Sequence, residues 1–313
     1  MYLMKKLFQL VALLAAGFSG TAFGAYTLVD IDCPGGPYSE TFGINNSDTV
    51  VITCFAADFS SVSSYMYDSK KGTFTLVAPA PGFPDTTLTG INDKGEIVGS
   101  VFDEATGIVS SFVRSKKGVY TLFTHPGSSD TEARGNNNNG LVGGTYLDDA
   151  SGTFFGFLYD SGSNTFATPG DLVPNAFHTF AQGVNNQGQV VGDTFLPNGA
   201  ACTGCLAGRY GYLRNKDGSL IYFQINGART AARGITDSGV ITGYVDTAGG
   251  QAGFVTTLAS SPSFQAITIP AAQLLIFPGS PFTNPEGIAN DGTIVGLWVD
   301  TDGFPHSFIA IKH

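Results

Sequence analysis

Only 13% of the 313 residues are charged, there is one tryptophan, and histidine occurs only at His125, His178, His306 and His313. None of these histidines stands at the spacing of a metal-binding pair. There is no His-Glu-x-x-His, no Gly-x-Ser-x-Gly elbow and no phosphate-binding loop. These absences argue against the zinc-protease, α/β-hydrolase and nucleotide-binding classes. They leave open a Ser-His-Asp set assembled in space. Helical periodicity is missing after residue 24. The one long apolar run, Leu7–Phe18, follows Lys5 and Lys6 and precedes Ala22-Phe23-Gly24. About a dozen apolar residues are too few to span a bilayer but suit a secretory signal peptide, so residues 1–24 are expected to be a leader. Basic residues are scarce too: the formal charge is −10, and −12 once Lys5 and Lys6 are set aside. Such a chain offers little to a phosphate backbone, so nucleic acid is excluded as a partner. With 42% hydrophobic residues it is not disordered either.

What the sequence does have is glycine, aromatics and a repeat. Glycine accounts for 42 residues and Phe for 25, a turn-and-strand composition. GINDKGEIVG (from Gly90), GVNNQGQVVG (Gly183), GITDSGVITG (Gly234) and GIANDGTIVG (Gly287) are plain copies of one motif. GNNNNGLVGG (Gly135) and GINNSDTVVI (Gly43) are degenerate copies. The starting glycines lie 47, 45, 48, 51 and 53 residues apart. Four residues before each stands a hydroxyl, Ser39, Thr86, Thr131, Thr179, Thr230 or Thr283, read as a buried hydrogen-bonding position. About 20 residues after each comes a small-aromatic-aliphatic triplet such as Ser111-Phe112-Val113 or Gly156-Phe157-Leu158.

Asn or Asp followed by x-Gly marks a tight turn, and the flanking runs are β-branched and apolar. Each unit thus reads as four short antiparallel strands, and six units of 45–50 residues fit the blade arithmetic of a six-bladed β-propeller. A linear β-solenoid is the alternative. Tyr26–Ile31 has the fourth-strand pattern, whereas the chain ends on a third strand, so the N-terminal strand is expected to complete the last blade and close the ring. Residues 25–313 then form one domain, read as a monomer.

These motifs resemble the HAF repeat family, named for probable extracellular repeats of bacteria. Its idealised unit runs Thr-x-Ala-x-Gly-Ile-Asn-x-x-Gly-x-Ile-Val-Gly-x-Tyr, then His-Gly-Phe-Leu. The resemblance covers residues 26–313. The family's histidine survives only at His306; Ser63, Ser110, Phe155, Tyr210 and Ala252 hold the matching positions. The resemblance implies export and a repeat β-fold, and supplies no catalytic residue.

Four cysteines in an exported chain suggest disulfides, Cys33 with Cys54 and Cys202 with Cys205, with a zinc site or free thiols as the alternatives. Acidic turns recur at Asp58, Asp103, Asp148, Asp246 and Asp300. They read as Asx turns, with Asp300 and Asp302 the candidates for a calcium loop. On the strand leading into each starting glycine, one face varies between units: Glu40, Glu132, Arg134, Gln182, Arg233, Asn284 and Glu286. If that strand is the innermost of each blade, these side chains converge on the channel as ligand-binding candidates or as salt bridges that merely fill it. The functional reading is a non-catalytic binding or surface module whose partner is a small molecule, a glycan or a surface protein. The alternatives are a calcium-dependent lactonase or esterase with its site in the channel, and a glycan-binding or glycan-cleaving propeller.

Overall fold

The computed structural model describes residues 25–166, 172–201, 207–258, 266–269 and 273–313. The leader and the Cys202–Cys205 pair proposed from sequence lie outside them. All regular structure among the described residues is β. After β1 (Tyr26–Ile31), the first sheet runs β2 (Tyr38–Ile44), β3 (Thr49–Phe55), β4 (Val62–Asp68) and β5 (Thr73–Leu76). The second runs β6 (Thr86–Ile91), β7 (Ile97–Asp103), β8 (Ile108–Arg114) and β9 (Tyr120–Phe123). The third runs β10 (Thr131–Asn136), β11 (Leu141–Asp148), β12 (Thr153–Asp160) and β13 (Thr165–Phe166). Each is four-stranded, antiparallel and consecutive.

The later units depart from four strands apiece. β14 (His178–Val184), β15 (Val190–Leu196), β16 (Gly208–Arg214) and β17 (Leu220–Ile225) follow the pattern, as do β18 (Thr230–Ile235), β19 (Val240–Thr247) and β20 (Gly250–Thr257). The chain then adds β21 (Ala266–Ile269) parallel to β17, covering an outer edge, before β22 (Gln273–Leu275) pairs with β20. Last come β23 (Phe282–Ile288), β24 (Ile294–Val299) and β25 (Pro305–Lys312). One parallel pair, Gln251 with Phe282, joins the fifth and sixth units into an eight-stranded sheet. β1 pairs antiparallel with β25 from Tyr26↔Lys312 to Ile31↔Ser307.

The repeat motif has a packing cause at each landmark. The starting glycines lie where first strands meet backbone to backbone. A Cβ on Gly135 would stand 2.5 Å from the Gln182 carbonyl oxygen, and one on Gly287 2.9 Å from that of Phe42. The second-strand glycine is the cross-strand partner of the third-strand aromatic: Gly99 faces Phe112, Gly144 Phe157, Gly192 Tyr212. The ring lies over the bare backbone, and these three aromatics are fully buried, each contributing about 2–3 kcal/mol of burial. Where the first unit has Ile52 instead, its partner Tyr65 is only half-buried. The six hydroxyls are buried as expected. Thr86, Thr131, Thr230 and Thr283 accept a hydrogen bond from a backbone N–H five or six residues upstream. Ser39 accepts instead from Ser307 N–H, across the seam between first and last units.

Candidate functional site

The first strands β2, β6, β10, β14, β18 and β23 lie side by side around an axis, and β23 also lies against β2. Each carries a β-bulge just before its starting glycine. A bulge leaves one residue out of the ladder and re-aims its side chain. The six so placed are Phe42, Thr89, Arg134, Gln182, Arg233 and Glu286, and all line one narrow axial passage of ≈ 80 Å³.

The passage is wide at one end and ringed by narrow polar turns at the other. Toward the N-terminal ends of the first strands it opens into a cavity of ≈ 400 Å³ lined by Glu40, Glu132, Thr87, Arg134, Arg233 and Glu286, among others. In the opposite direction it passes an aliphatic collar, including Ile44, Ile91, Val184, Ile235 and Ile288, and reaches a ring of asparagine and aspartate. Of the seven sequence candidates, the structure brings Glu40, Glu132, Arg134, Gln182, Arg233 and Glu286 to the passage. Asn284 lies on the same strand as Glu286, with its Oδ1 buried and unpartnered among the described residues. Sequence reasoning left out Phe42, Thr87 and Thr89, which are neither the charged nor the amide residues that singled out the others.

Charge in the passage is mostly paired. Glu132 holds Arg134 in an ion pair. Glu286 lies 3.5 Å from Arg233, whose guanidinium also donates to the Tyr244 hydroxyl at 2.8 Å. Asp193, buried on β15, pairs with Arg209 at 2.7 Å, and Arg209 donates to the same hydroxyl at 3.0 Å. Glu40 is the exception: it makes no hydrogen bond or ion pair among the described residues. Burial pushes its pKa up, with Arg134 pulling the other way. Burial also raises Glu286, opposed by Arg233 and Arg134 and reinforced by Glu40. Among the described residues no three His, Cys, Asp or Glu side chains are grouped to hold a metal ion.

The polar ring is a cyclic chain of hydrogen bonds. Asn46 N–H donates to Asp93 Oδ1, Asp93 to Asn138, Asn138 to Asn186, Asn186 to Asp237, Asp237 to Asn290, and Asn290 back to Asn46, at 2.7–2.9 Å. Burial opposes charge on Asp237, yet bonds from Asn290 and Asn186 bring its pKa down. The preceding residues work both within and between units. Asn45, Asn92, Asn137 and Asn185 accept two N–H bonds from their own turns through Oδ1. Through Nδ2 each donates to a carbonyl of the next turn. The sequence marked these only as turn residues.

The two ends differ in charge. Turns from first to second and third to fourth strands lie at the narrow end, together with every lysine after residue 24: Lys70, Lys71, Lys94, Lys116, Lys117, Lys216 and Lys312. Their charge and that of Arg114 and Arg214 is offset by acids in the same turns. The other connections surround the wide mouth and carry Asp30, Asp32, Asp58, Asp85, Asp103, Glu104, Asp130, Asp148, Asp149, Asp246, Asp300 and Asp302, against Arg209 and Arg229. The chain's net charge therefore sits around the wide mouth. Asp300 serves its own turn: Oδ1 accepts from Asp302 and Phe304 N–H, and Oδ2 lies 3.0 Å from His306 Nε2. His125 stacks on Tyr146 and His178 packs among Phe154, Phe180 and Phe195.

No protein-family model matches the chain, and no curated protein matches it. Among solved structures, TolB from Acinetobacter baumannii superposes with a TM-score of 0.52 at 11% identity, over 70% of this chain and 51% of that one. The chain thus spans about half the length of TolB. The β-propeller domain of the Trilobed protease from Pyrococcus furiosus gives 0.49 at 11% identity, over 88% and 97% of the two chains. PQQ-bound aldose sugar dehydrogenase from Streptomyces coelicolor gives 0.46 at 10%, over 92% and 99%. At this identity the likeness to TolB speaks to fold alone, and the repeated four-stranded antiparallel sheets carry the assignment. The fold class is the β-propeller, with its first strands around the passage. Cys33 and Cys54 are joined by a disulfide, and no helix among the described residues is long and apolar enough to cross a membrane.

Proposed function

We propose that the chain is an exported, six-bladed propeller of the HAF repeat type, closed by Tyr26–Ile31, that works as a non-catalytic binding module. Its ligand is polar and positively charged and enters the wide mouth of the axial passage. Support for closure comes from the pairing of β1 with β25 and from the hydrogen-bond chain that returns to Asn46. The disulfide and the leader-like residues 1–24 support export. The observation that carries the ligand reading is Glu40: beside two arginines that already have carboxylate partners, it is the unpaired charge in a ≈ 400 Å³ cavity. The carboxylates around the mouth would raise the local concentration of a cation before it reaches Glu40.

Calorimetric titration with spermidine tests the reading. Wild-type protein should bind, and Glu40→Gln should weaken binding at least tenfold. Equal affinity in the two proteins would remove the channel as the site. Glu40, Glu132 and Glu286 lining one cavity favour one second reading, a calcium-dependent hydrolase. Turnover of an ester or lactone panel that calcium supports and a chelator abolishes would replace the non-catalytic reading.

A further inference from the structure

A cluster of aromatic rings lies beside the wide mouth, where the first and last units meet. In the turns between second and third strands the left-handed position is held by glycine elsewhere, at Gly107 (φ 73), Gly152 (φ 68) and Gly303 (φ 90). The first unit puts Phe59 there at φ 55, a conformation that bulky side chains avoid. The strained residue does not hide its ring, which is 48% exposed. Phe59 stacks on Tyr38 at 5.2 Å and 9°, Tyr38 on Phe304 at 4.4 Å and 18°, and Phe59 lies 6.0 Å from Phe304 at 27°. In a column the outer rings would be separated by both spacings together. At 6.0 Å they lie side by side over Tyr38, a paving two rings wide.

We propose that this paving docks a basic peptide segment of a partner protein, with one arginine lying flat on Phe59 and Phe304 and a second basic residue reaching Glu40. The proposal rests in part on the channel reading above. Charge complementarity identifies the occupant, because the paving sits among the carboxylates of the wide mouth. Two of these carboxylates serve their own turns through Oδ1: Asp58 accepts from Ser60 N–H, and Asp300 from Asp302 and Phe304 N–H. Held in place by those bonds, they contribute a fixed negative potential. A guanidinium needs only a π face and a negative field. Continuity with the channel sets the spacing. Tyr38 and Glu40 lie two residues apart on one face of β2, about 7 Å, which is also the spacing of alternate residues in an extended peptide.

The chain's only tryptophan provides a readout. Trp298 stacks on His306 at 4.6 Å, and His306 meets Tyr38 edge-on at 6.0 Å. The probe is a blocked hexapeptide of alternating Arg and Ser, followed by Trp298 fluorescence and calorimetry on the whole secreted protein. Wild-type should bind it, and the citrulline analogue, which keeps shape without charge, should bind at least tenfold more weakly. Phe59→Gly should lose at least tenfold with its thermal transition retained, and Phe59→Leu, apolar but without a π face, should lose as much. Glu40→Gln should cost only a few-fold and keep the Trp298 response. Equal affinity for the citrulline peptide, or affinity unmoved by both Phe59 variants, would overturn the proposal. So would Phe59-dependent binding of neutral xylohexaose by a protein that ignores the peptide. A Phe59 effect with no Glu40 effect on either peptide or spermidine would uphold the paving and sink the channel reading.

Discussion

Glu40 and Asn185 sit toward opposite ends of the same passage and face opposite demands. Glu40 is held among side chains that leave it unpaired, and burial lifts its pKa. Its folded-state proton is therefore retained to higher pH than in the unfolded chain, where a glutamate titrates near ~4.3. The stability linked to that proton is present below the unfolded value and lost as pH rises through the folded one. Glu40→Gln keeps the neutral form at every pH. Its melting temperature should exceed that of wild-type at pH 7 and converge with it at acid pH; identical melting temperatures at pH 7 would contradict this. Asn185, by contrast, is buried with both ends of its amide engaged, accepting from Gln187 and Gln189 N–H and donating to the Thr236 carbonyl. Asn185→Ala strands these groups, and chemical denaturation should show a loss of roughly 2–4 kcal/mol. Asparagine after Gly-Val could be read as a turn former. Its second bond could not, because that bond reaches a residue 51 positions away.

Among the elements, β1 and the disulfide act together. β1 is hydrogen-bonded to β25, and Cys33, just beyond it, is bonded to Cys54 in β3. The covalent link thus ties a strand of the last unit to the first sheet. Replacing both cysteines by serine removes a 21-residue cross-link and should cost roughly 3 kcal/mol, measured as a shift in denaturation midpoint. Deleting residues 25–32 should lower the melting temperature of the whole domain as one transition, whereas a frayed end would leave the main transition in place. The pairing of β1 was legible because its fourth-strand pattern had no unit of its own. The bulges were not, since one extra residue per strand leaves the apolar pattern intact and is decided by the approach of neighbouring backbones at the starting glycines. Nor was the detour through β21, whose parallel pairing joins segments that no repeat relates.

For the molecule as a whole, the separation of charge between the two ends should govern encounter rates. Association of a cationic ligand, measured by stopped flow, should slow steeply between about 0.05 and 0.5 M salt as the field is screened. A rate independent of salt would show that the carboxylates around the mouth play no part. The count of acids was plain in the sequence, but their segregation was not. It follows from strand direction, which sends alternate turns of every unit to opposite ends.

The repeating sheet and its turns were legible from the residues alone. Period, alternation and turn chemistry are local properties, and the same local problem is solved in every unit. The sequence also marked the passage candidates, because positions that vary inside a constant scaffold stand out. Tertiary structure alone decided which of them are paired and which is left over: Arg134 meets Glu132 on its own strand, Arg233 meets Glu286 of the next unit, and Glu40 meets neither. It also brought Phe59, Tyr38 and Phe304 to one surface from opposite ends of the chain. Distances across the axis and the seam depend on how the units pack, and no run of residues carries that information.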